Sequence, residues 1–527
     1  MPNEAKELST VQAPTIPLAN ANGDQKPSID LSKKYNIFPY PGDADRMTSY
    51  EYYERLFLGN HFAAFNIKID DEHWNKTYSR LRYVAVNFAG LITKIVADML
   101  FSEPVTVKVP EGDQDFIDAL WKENNMDVQC YESALGNSYN GDALFKLRVG
   151  PRFNSPKEPS TVIIEDTSPC IYYPELDDFN VRAEPKKQEL AWTFEKNNVK
   201  YLRKEIHYPG RIENKVYEMK GQDIVAEVSV DTLGIPGLKA VEQTKIDRSM
   251  LIHTPNWKTG NRYFGLSDYH DLESLFYAIN NRMTSVDNIL DKHSDPILMV
   301  PPGVLDEKGN VRKKALGVVE MGEGEGGKPE YIVWDASLEN AFKEIEKLVE
   351  FLYLVGEVSP DVLGLGDGVS DSGRALKFKL MRTIAKVARK KLYYDKALKE
   401  IIYRAQLLAK AWNLKVGGKT LQGDPVMPEI EWSDGLPIDN HEALEDEVTA
   451  IDAGIRSKKE AIMTLYKVDE EAADKMLADI EEEKPTIEMP TMNMGNKTMK
   501  TSSGDMMNAD GSDSKTFAKN LSKANSK

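Results

Sequence analysis

The spacing of apolar positions changes several times along this chain, and each change marks a different piece of structure. From Ser49 the run SYEYYERLFLGN has a helical period. Tyr78–Leu100 predicts a longer helix, with Leu81, Val84, Phe88, Leu91, Ile92, Ile95 and Met99 on one face. PVTVKV at 104–109 alternates as a strand does, and Asp113–Asn124 and Asp127–Tyr139 return to a helical period. Six short strand candidates then crowd together: ALFKLRV, TVIIED, ELAWTFEK, KYLRKEIHY, NKVYEMK and DIVAEVSV. These segments predict an α+β body.

A second pattern begins near residue 267. Ser267 or Asp268 is a good N-cap for a helix whose apolar stripe is Leu272, Leu275, Phe276, Ile279, Met283, Val286 and Leu290. Pro296 fits its end. Three strand-like runs follow, ILMV, LGVVEM and EYIVW, before a second amphipathic helix through Leu338, Phe342, Ile345, Val349 and Leu352. A small β-rich insert is thus flanked by two helices. Beyond Pro360, Gly364, Gly366 and Gly368 predict a pliant loop, and Ser370 or Ser372 can cap the next helix. No proline interrupts residues 374–414, where Leu376, Leu380, Ile384, Val387, Leu398, Ile401, Ile402 and Leu408 predict partial burial.

Charge sharpens this last part. Residues 374–414 carry 12 Lys/Arg against Asp395 and Glu400, whereas residues 434–483 hold 16 Asp/Glu against 5 Lys/Arg. The basic helix either meets phosphate or meets acidic neighbours, and charge segregation within one assembly is enough to explain it. The acidic part opens with a strand candidate, PEIEWSDGLP, and continues as helices with capping boxes at Asp439-x-x-Glu442 and Ser457-x-x-Glu460. Residues 1–45 and 484–527 show no sustained period and are expected to be flexible.

A chain of 527 residues is too long for one ordinary core. No apolar run approaches the length needed to span a bilayer, and the N-terminus lacks the layout of a secretion signal. With only Cys130 and Cys170, no disulfide framework is implied. A formal charge of −17 argues against a protein that coats DNA, but not against one past which DNA slides.

Candidate chemistry is sparse. GEGEGGKP at 322–329 satisfies both GxGxxG and GxxxxGK. It lies between two strand candidates with no helix behind it, Pro329 replaces the Ser/Thr of a P-loop, and Glu323 and Glu325 would oppose a phosphate. A hairpin tip is the better reading. No HExxH, Cys/His cluster or GxSxG motif occurs, so no catalytic, cofactor-binding or metal-ligating residue is nominated. An enzyme with an α+β body and a rod-like scaffold or adaptor remain as alternatives to the reading that follows.

Three stretches carry a family resemblance: GLSDYHDLESLFYAINNRMTSVDN, LGLGDGVSDSGRALKFKLM and IEWSDGLPIDNHEALEDEVTAIDAGIRSKKEAI. In their order and setting the chain resembles the portal proteins of tailed bacteriophages, in particular the type common in phages of Gram-positive hosts. The resemblance implies a helix-rich α+β protomer in a ring, usually of twelve copies, at one capsid vertex, with double-stranded DNA passing along the axis. It implies a wing at 46–267, stem helices at 268–293 and 338–360, a clip at 294–337, and a tunnel loop at 361–373. A long helix behind that loop at 374–414 and a crown at 415–483 complete the layout. In the tunnel loop Gly364, Gly366, Asp367, Gly368, Ser370 and Asp371 are the residues of interest, with Asp367 and Asp371 facing the axis. Arg374 and Lys377 would anchor the loop or line the channel, and Glu323, Glu325 and Lys328 in the clip would meet partners. Implied partners are the terminase packaging motor, a head–tail adaptor, and the major capsid and scaffolding proteins; no membrane partner and no cofactor are implied.

Overall fold

The computed structural model describes residues 36–67, 83–110, 112–152, 158–177, 179–235, 237–294, 338–363, 373–433, 440–466, 468 and 470–482, with the short stretches 297–299, 313–314, 318–319 and 330–332. It is a mixed, helix-rich α+β structure. The chain divides into two units, at Ile438/Asp439, inside the 415–483 segment expected to form one piece.

The first unit opens with α1 (Ala44–Phe57) and the short α2 (His61–Ala64), followed by α3 (Phe88–Phe101), α4 (Gln114–Glu123) and α5 (Met126–Asn140). The expectation of flexibility up to residue 45 fails for 36–45. Phe38 and Tyr40 are buried against Tyr173, and the Phe38 backbone N–H donates to the Gln222 carbonyl at 2.9 Å. Aromatic burial, which composition alone does not reveal, orders this polar stretch.

Of the helix expected over Tyr78–Leu100, residues 78–82 lie outside the described residues, 83–87 are not helical, and α3 begins at Phe88. Val84 and Val86 lie outside any helix or strand, and their N–H groups donate to side chains of a later helix, Thr284 Oγ1 at 3.0 Å and Asn280 Oδ1 at 2.9 Å. Asn87 then caps α3 by accepting the Gly90 N–H at 2.8 Å.

Two antiparallel sheets follow. Strands β2 (Asp142–Gly150) and β3 (Thr161–Thr167) pair with β10 (Leu251–Pro255) in the order β10-β2-β3. The larger sheet runs β4 (Tyr172–Glu175), β5 (Lys187–Lys196), β6 (Val199–Tyr208), β7 (Arg211–Lys220) and β8 (Asp223–Val228), with β9 (Val241–Gln243) also on β7. The six strand candidates of the sequence are all present here. PVTVKV contributes only β1 (Thr106–Lys108), which pairs with β17 (Glu429–Glu431) and so joins distant parts of the chain.

Helices α6 (Glu273–Ser294) and α7 (Leu338–Gly356) pack together, and between them the described pairs are β11–β14 (Ile297–Met299 with Glu330–Ile332) and β12–β13 (Lys313–Lys314 with Val318–Val319). The uninterrupted helix expected over 374–414 is two, α8 (Gly373–Lys379) and α9 (Met381–Trp412). The break falls at Leu380, whose side chain turns into the core while Lys377, Phe378 and Lys379 stay exposed. From α9, Tyr394, Leu398, Ile401 and Ile402 enter the main core beside Ile92 of α3 and Phe145 of β2. Burying such side chains, each worth about 1.5–3 kcal/mol, makes α9 the spine of the unit. Strands β15 (Lys415–Val416) and β16 (Lys419–Thr420) form a short hairpin beyond it.

The second unit holds α10 (Asn440–Asp452), α11 (Lys458–Tyr466) and α12 (Glu470–Glu482). The expected capping box is formed: the Glu460 N–H donates to Ser457 Oγ, and the Ser457 N–H to Glu460 Oε2, both at 3.2 Å. Asp439 of the other expected box lies outside the described residues.

Candidate functional site: the base of the helix pair and its uncovered faces

The start expected for α6 at Ser267 or Asp268 is displaced to Glu273, because both residues are used sideways. The Ser267 side chain accepts the Tyr269 N–H at 3.0 Å within a turn. The Asp268 carboxylate is buried and accepts from Ser138 Oγ at 2.6 Å, Asn256 Nδ2 at 3.1 Å and the Lys390 ammonium at 2.8 Å. Lys386 stands 3.4 Å away and donates to the Gly356 carbonyl at 2.9 Å, at the last residue of α7. Burial pushes the Asp268 carboxyl up, but the two lysines overcome this and hold it well below the usual carboxylate range. Burial also lowers Lys390, to about 8, against the pull of Asp268. One carboxylate therefore ties together the lead-in to α6, the end of α7 and the middle of α9.

The segment before α6 is fixed to α5 and β2 by close backbone contact. Gly265 packs where an added Cβ would lie 2.1 Å from the Gly141 carbonyl oxygen, and Gly141 itself has φ +92°. The Gly265 N–H donates to Asp142 Oδ1 at 2.8 Å, and Tyr50 Oη donates to Asp142 Oδ2 at 2.6 Å. His253 Nε2 is 2.6 Å from Asp142 Oδ1. Asp142 is thus a second buried carboxylate whose partners are structural.

Away from this base the helices carry apolar surface that their own chain leaves uncovered. On α7, Leu352 and Gly356 face inward, whereas Phe351, Leu354 and Val355 are 52%, 64% and 46% exposed on the other side. On α8 and α9, Phe378, Met381, Ala385, Ala388 and Leu392 recur at steps of three and four residues along an exposed stripe. That spacing forms a seam of the kind by which helices pack together.

Of the residues singled out in the sequence, Gly364, Gly366, Asp367, Gly368, Ser370 and Asp371 lie outside the described residues, as do Glu323, Glu325 and Lys328. The flanks of the glycine segment are described. Asp361 before it and Lys379 after it pair at 3.6 Å, and the Ser359 N–H donates to Thr383 Oγ1 at 2.8 Å. Arg374 is the second residue of α8, and Lys377 is exposed on the same helix. Acidic neighbours of the basic helix are found at Asp268, Glu357, Glu184 and Asp424.

The sequence marks Asp268 as a helix cap and does not show it as the counter-charge of Lys386 and Lys390. Its signal was available in α9, where Lys390 shares the apolar phase of Val387 and Tyr394. A lysine in that phase calls for a buried counter-charge. Cys130 is a buried core residue, and burial pushes its thiol well up. Among the described residues no group of His, Cys, Asp and Glu could hold a metal ion, and no helix is long and apolar enough to cross a membrane.

Among solved structures the chain is similar to the neck of a native GTA particle computed with C12 symmetry, at 11% identity and a TM-score of 0.41, covering 77% of this chain and 98% of that one. It is also similar to the neck of an empty GTA particle computed with C6 symmetry, at 12% identity and a TM-score of 0.44, covering 75% and 94%. No curated protein matches it by sequence. The family described as phage portal protein, SPP1 Gp6-like, matches residues 41–149 and 185–486, which is most of the chain. The chain therefore belongs to the SPP1 Gp6-like phage portal proteins, structural and non-enzymatic components of the virion that form the head-to-tail connector channel.

Proposed function

We propose that twelve copies of this chain close side by side into the ring, twelve being the number the family resemblance implies, with double-stranded DNA moving along its axis during packaging and ejection. The observation that carries the reading is the outer face of α7. Phe351, Leu354 and Val355 are exposed within one helical turn of a fully buried Leu352, so the helix is apolar on two sides and its own chain covers one. A neighbouring copy covers the other. The stripe from Phe378 to Leu392 offers the same opportunity on the long helix.

On this reading 46–267 is the wing, 268–293 and 338–360 are the stem, 294–337 is the clip, 361–373 is the tunnel loop with 374–414 behind it, and 415–483 is the crown. The clip, with Glu323, Glu325 and Lys328, meets the terminase motor first and the head–tail adaptor later; the major capsid and scaffolding proteins are further partners. Asp367 and Asp371 face the channel, and Arg374 and Lys377 hold the base of the loop. The net charge of −17 suits a channel that must not grip its cargo, because every neutralised phosphate would add counterion-release affinity.

Negative-stain images of the purified protein test the assembly directly: closed rings are expected, and monodisperse monomers at high concentration would overturn it. Replacing Gly364–Gly368 by a rigid segment should impair packaging while leaving rings intact; normal packaging would refute the loop assignment.

A further inference from the structure

A cavity of about 350 Å³ lies between the 181–188 strap, the 248–263 segment and α9. That is at the small end of the range for ligand sites. Its wall is basic in a protein that is acidic overall. Five cations line it, Arg182, Arg248, Lys258, Lys396 and Arg404, against two carboxylates, Glu184 and Glu400.

Both carboxylates are already engaged by one cation. Arg404 pairs with Glu184 at 3.1 Å and Glu400 at 3.0 Å, and its remaining donors reach the Ser249 and Leu251 carbonyls. None of the other four cations has a salt-bridge partner among the described residues. Arg182 Nε donates to the Gly260 carbonyl at 3.4 Å, and Lys258 Nζ to the Tyr263 carbonyl at 3.1 Å. The cations also crowd one another. Burial lowers the Lys258 ammonium, and although Asp142 opposes the fall, Lys396 and Arg182 add to it. Like charges from three separate elements line the hollow, Lys258 partly buried and Arg182, Arg248 and Lys396 exposed, and an anion that joins them relieves their repulsion.

We infer that this cavity binds a dianionic phosphate, either free phosphate or a phosphate monoester. The excess of positive charge suits a dianion better than a monoanion. A tetrahedral oxyanion accepts hydrogen bonds on several sides, whereas a carboxylate accepts them in one plane, and here the donors come from a strap, a loop and a helix. The hollow also favours a small ligand over the phosphodiesters of a duplex, which are singly charged and carried on a stiff, wide rod.

Calorimetric titration of the full-length assembly at low salt tests this, with inorganic phosphate in one arm and adenosine monophosphate in the other. Saturable binding of one phosphate per chain is expected, weakened at least about tenfold by Lys258→Gln or Lys396→Gln, since each removes a charge-assisted contact. Arg382→Gln, outside the cavity, should leave it unchanged. Tighter binding of the nucleotide would identify a monoester as the occupant, and tighter binding of inorganic phosphate the free ion. The inference is overturned if neither ligand saturates at millimolar concentration. It also fails if the two lysine variants, shown folded by their thermal unfolding, bind as the parent does, or if a duplex without terminal phosphates competes equally.

Discussion

Replacing Asp268 by Asn keeps the size of the side chain and removes its charge together with one of its two acceptor oxygens. The change strands two buried ammonium groups, Lys390 at 2.8 Å and Lys386 at 3.4 Å, that this carboxylate serves. Lys386 keeps the Gly356 carbonyl and Lys390 keeps Asn256, so both retain a neutral acceptor but lose their counter-charge. Removing one partner of a buried ion pair costs about 3–5 kcal/mol, and the second lysine places this site toward the upper end. In so large a unit the corresponding fall in Tm is only a few degrees, so urea unfolding at pH 7 is the better assay. The double variant Asp268→Asn/Lys390→Met should recover much of the loss, because it removes the stranded charge as well. An Asp268→Asn protein as stable as the parent would refute the ion-pair account. A double variant no better than the single would show that the lost hydrogen bonds, and not charge, set the cost.

Gly265→Ala should cost about 3 kcal/mol or more, because the new methyl meets backbone at Gly141 and Asn256; soluble expression and thermal unfolding report it. Leu354→Glu should abolish rings in electron micrographs while the protomer stays folded by circular dichroism, and intact rings would show that α7's outer face is not an interface. Burial, only partly offset by the hydrogen bond from Tyr53, raises the Glu273 carboxyl to about 7. Its folded pKa then exceeds the unfolded one, so its contribution is fully present below about 4.5 and is lost as pH rises through 7. Glu273→Gln should accordingly gain stability over the parent at pH 8 and much less at pH 5, as unfolding at the two pH values would show. Burial pushes Glu205 up, but His207 and Lys146 hold it down at about 2, so its contribution is present above about 4.5 and fades as pH falls toward 2. Glu205→Gln should flatten that part of the acid-unfolding curve.

The parts of the fold that were legible in the sequence are those whose burial is decided locally. The α7 stripe ending at the buried Leu352 and the alternating strand β7 announce themselves, because each repeats a regular step along the chain. What was missed depends on partners far along the chain. Strand β10 ends in Pro255 and is buried at nearly every position, so it shows no alternation. The 36–45 segment is ordered by Tyr173, and 84–86 by Asn280 and Thr284. At the candidate site the glycines of 364–368 were visible as a loop signal, whereas the Asp268 cluster was hidden, since Ser267 and Asp268 read first as helix caps. The resemblance to portal proteins rested on the order of parts, and that order survives such local errors.

Because α6 and α7 are clamped at one end by Asp268, Lys386 and Lys390, they behave as a pair of levers on a shared fulcrum. A helix of 22 residues is about 33 Å long, so a sideways push of about 3 Å at its far tip turns the base by about 5°. That rotation bears directly on α9, whose own lysines close the clamp. Torque applied at the tips is thereby delivered to α9 through the turn at 268–272 and the last residue of α7.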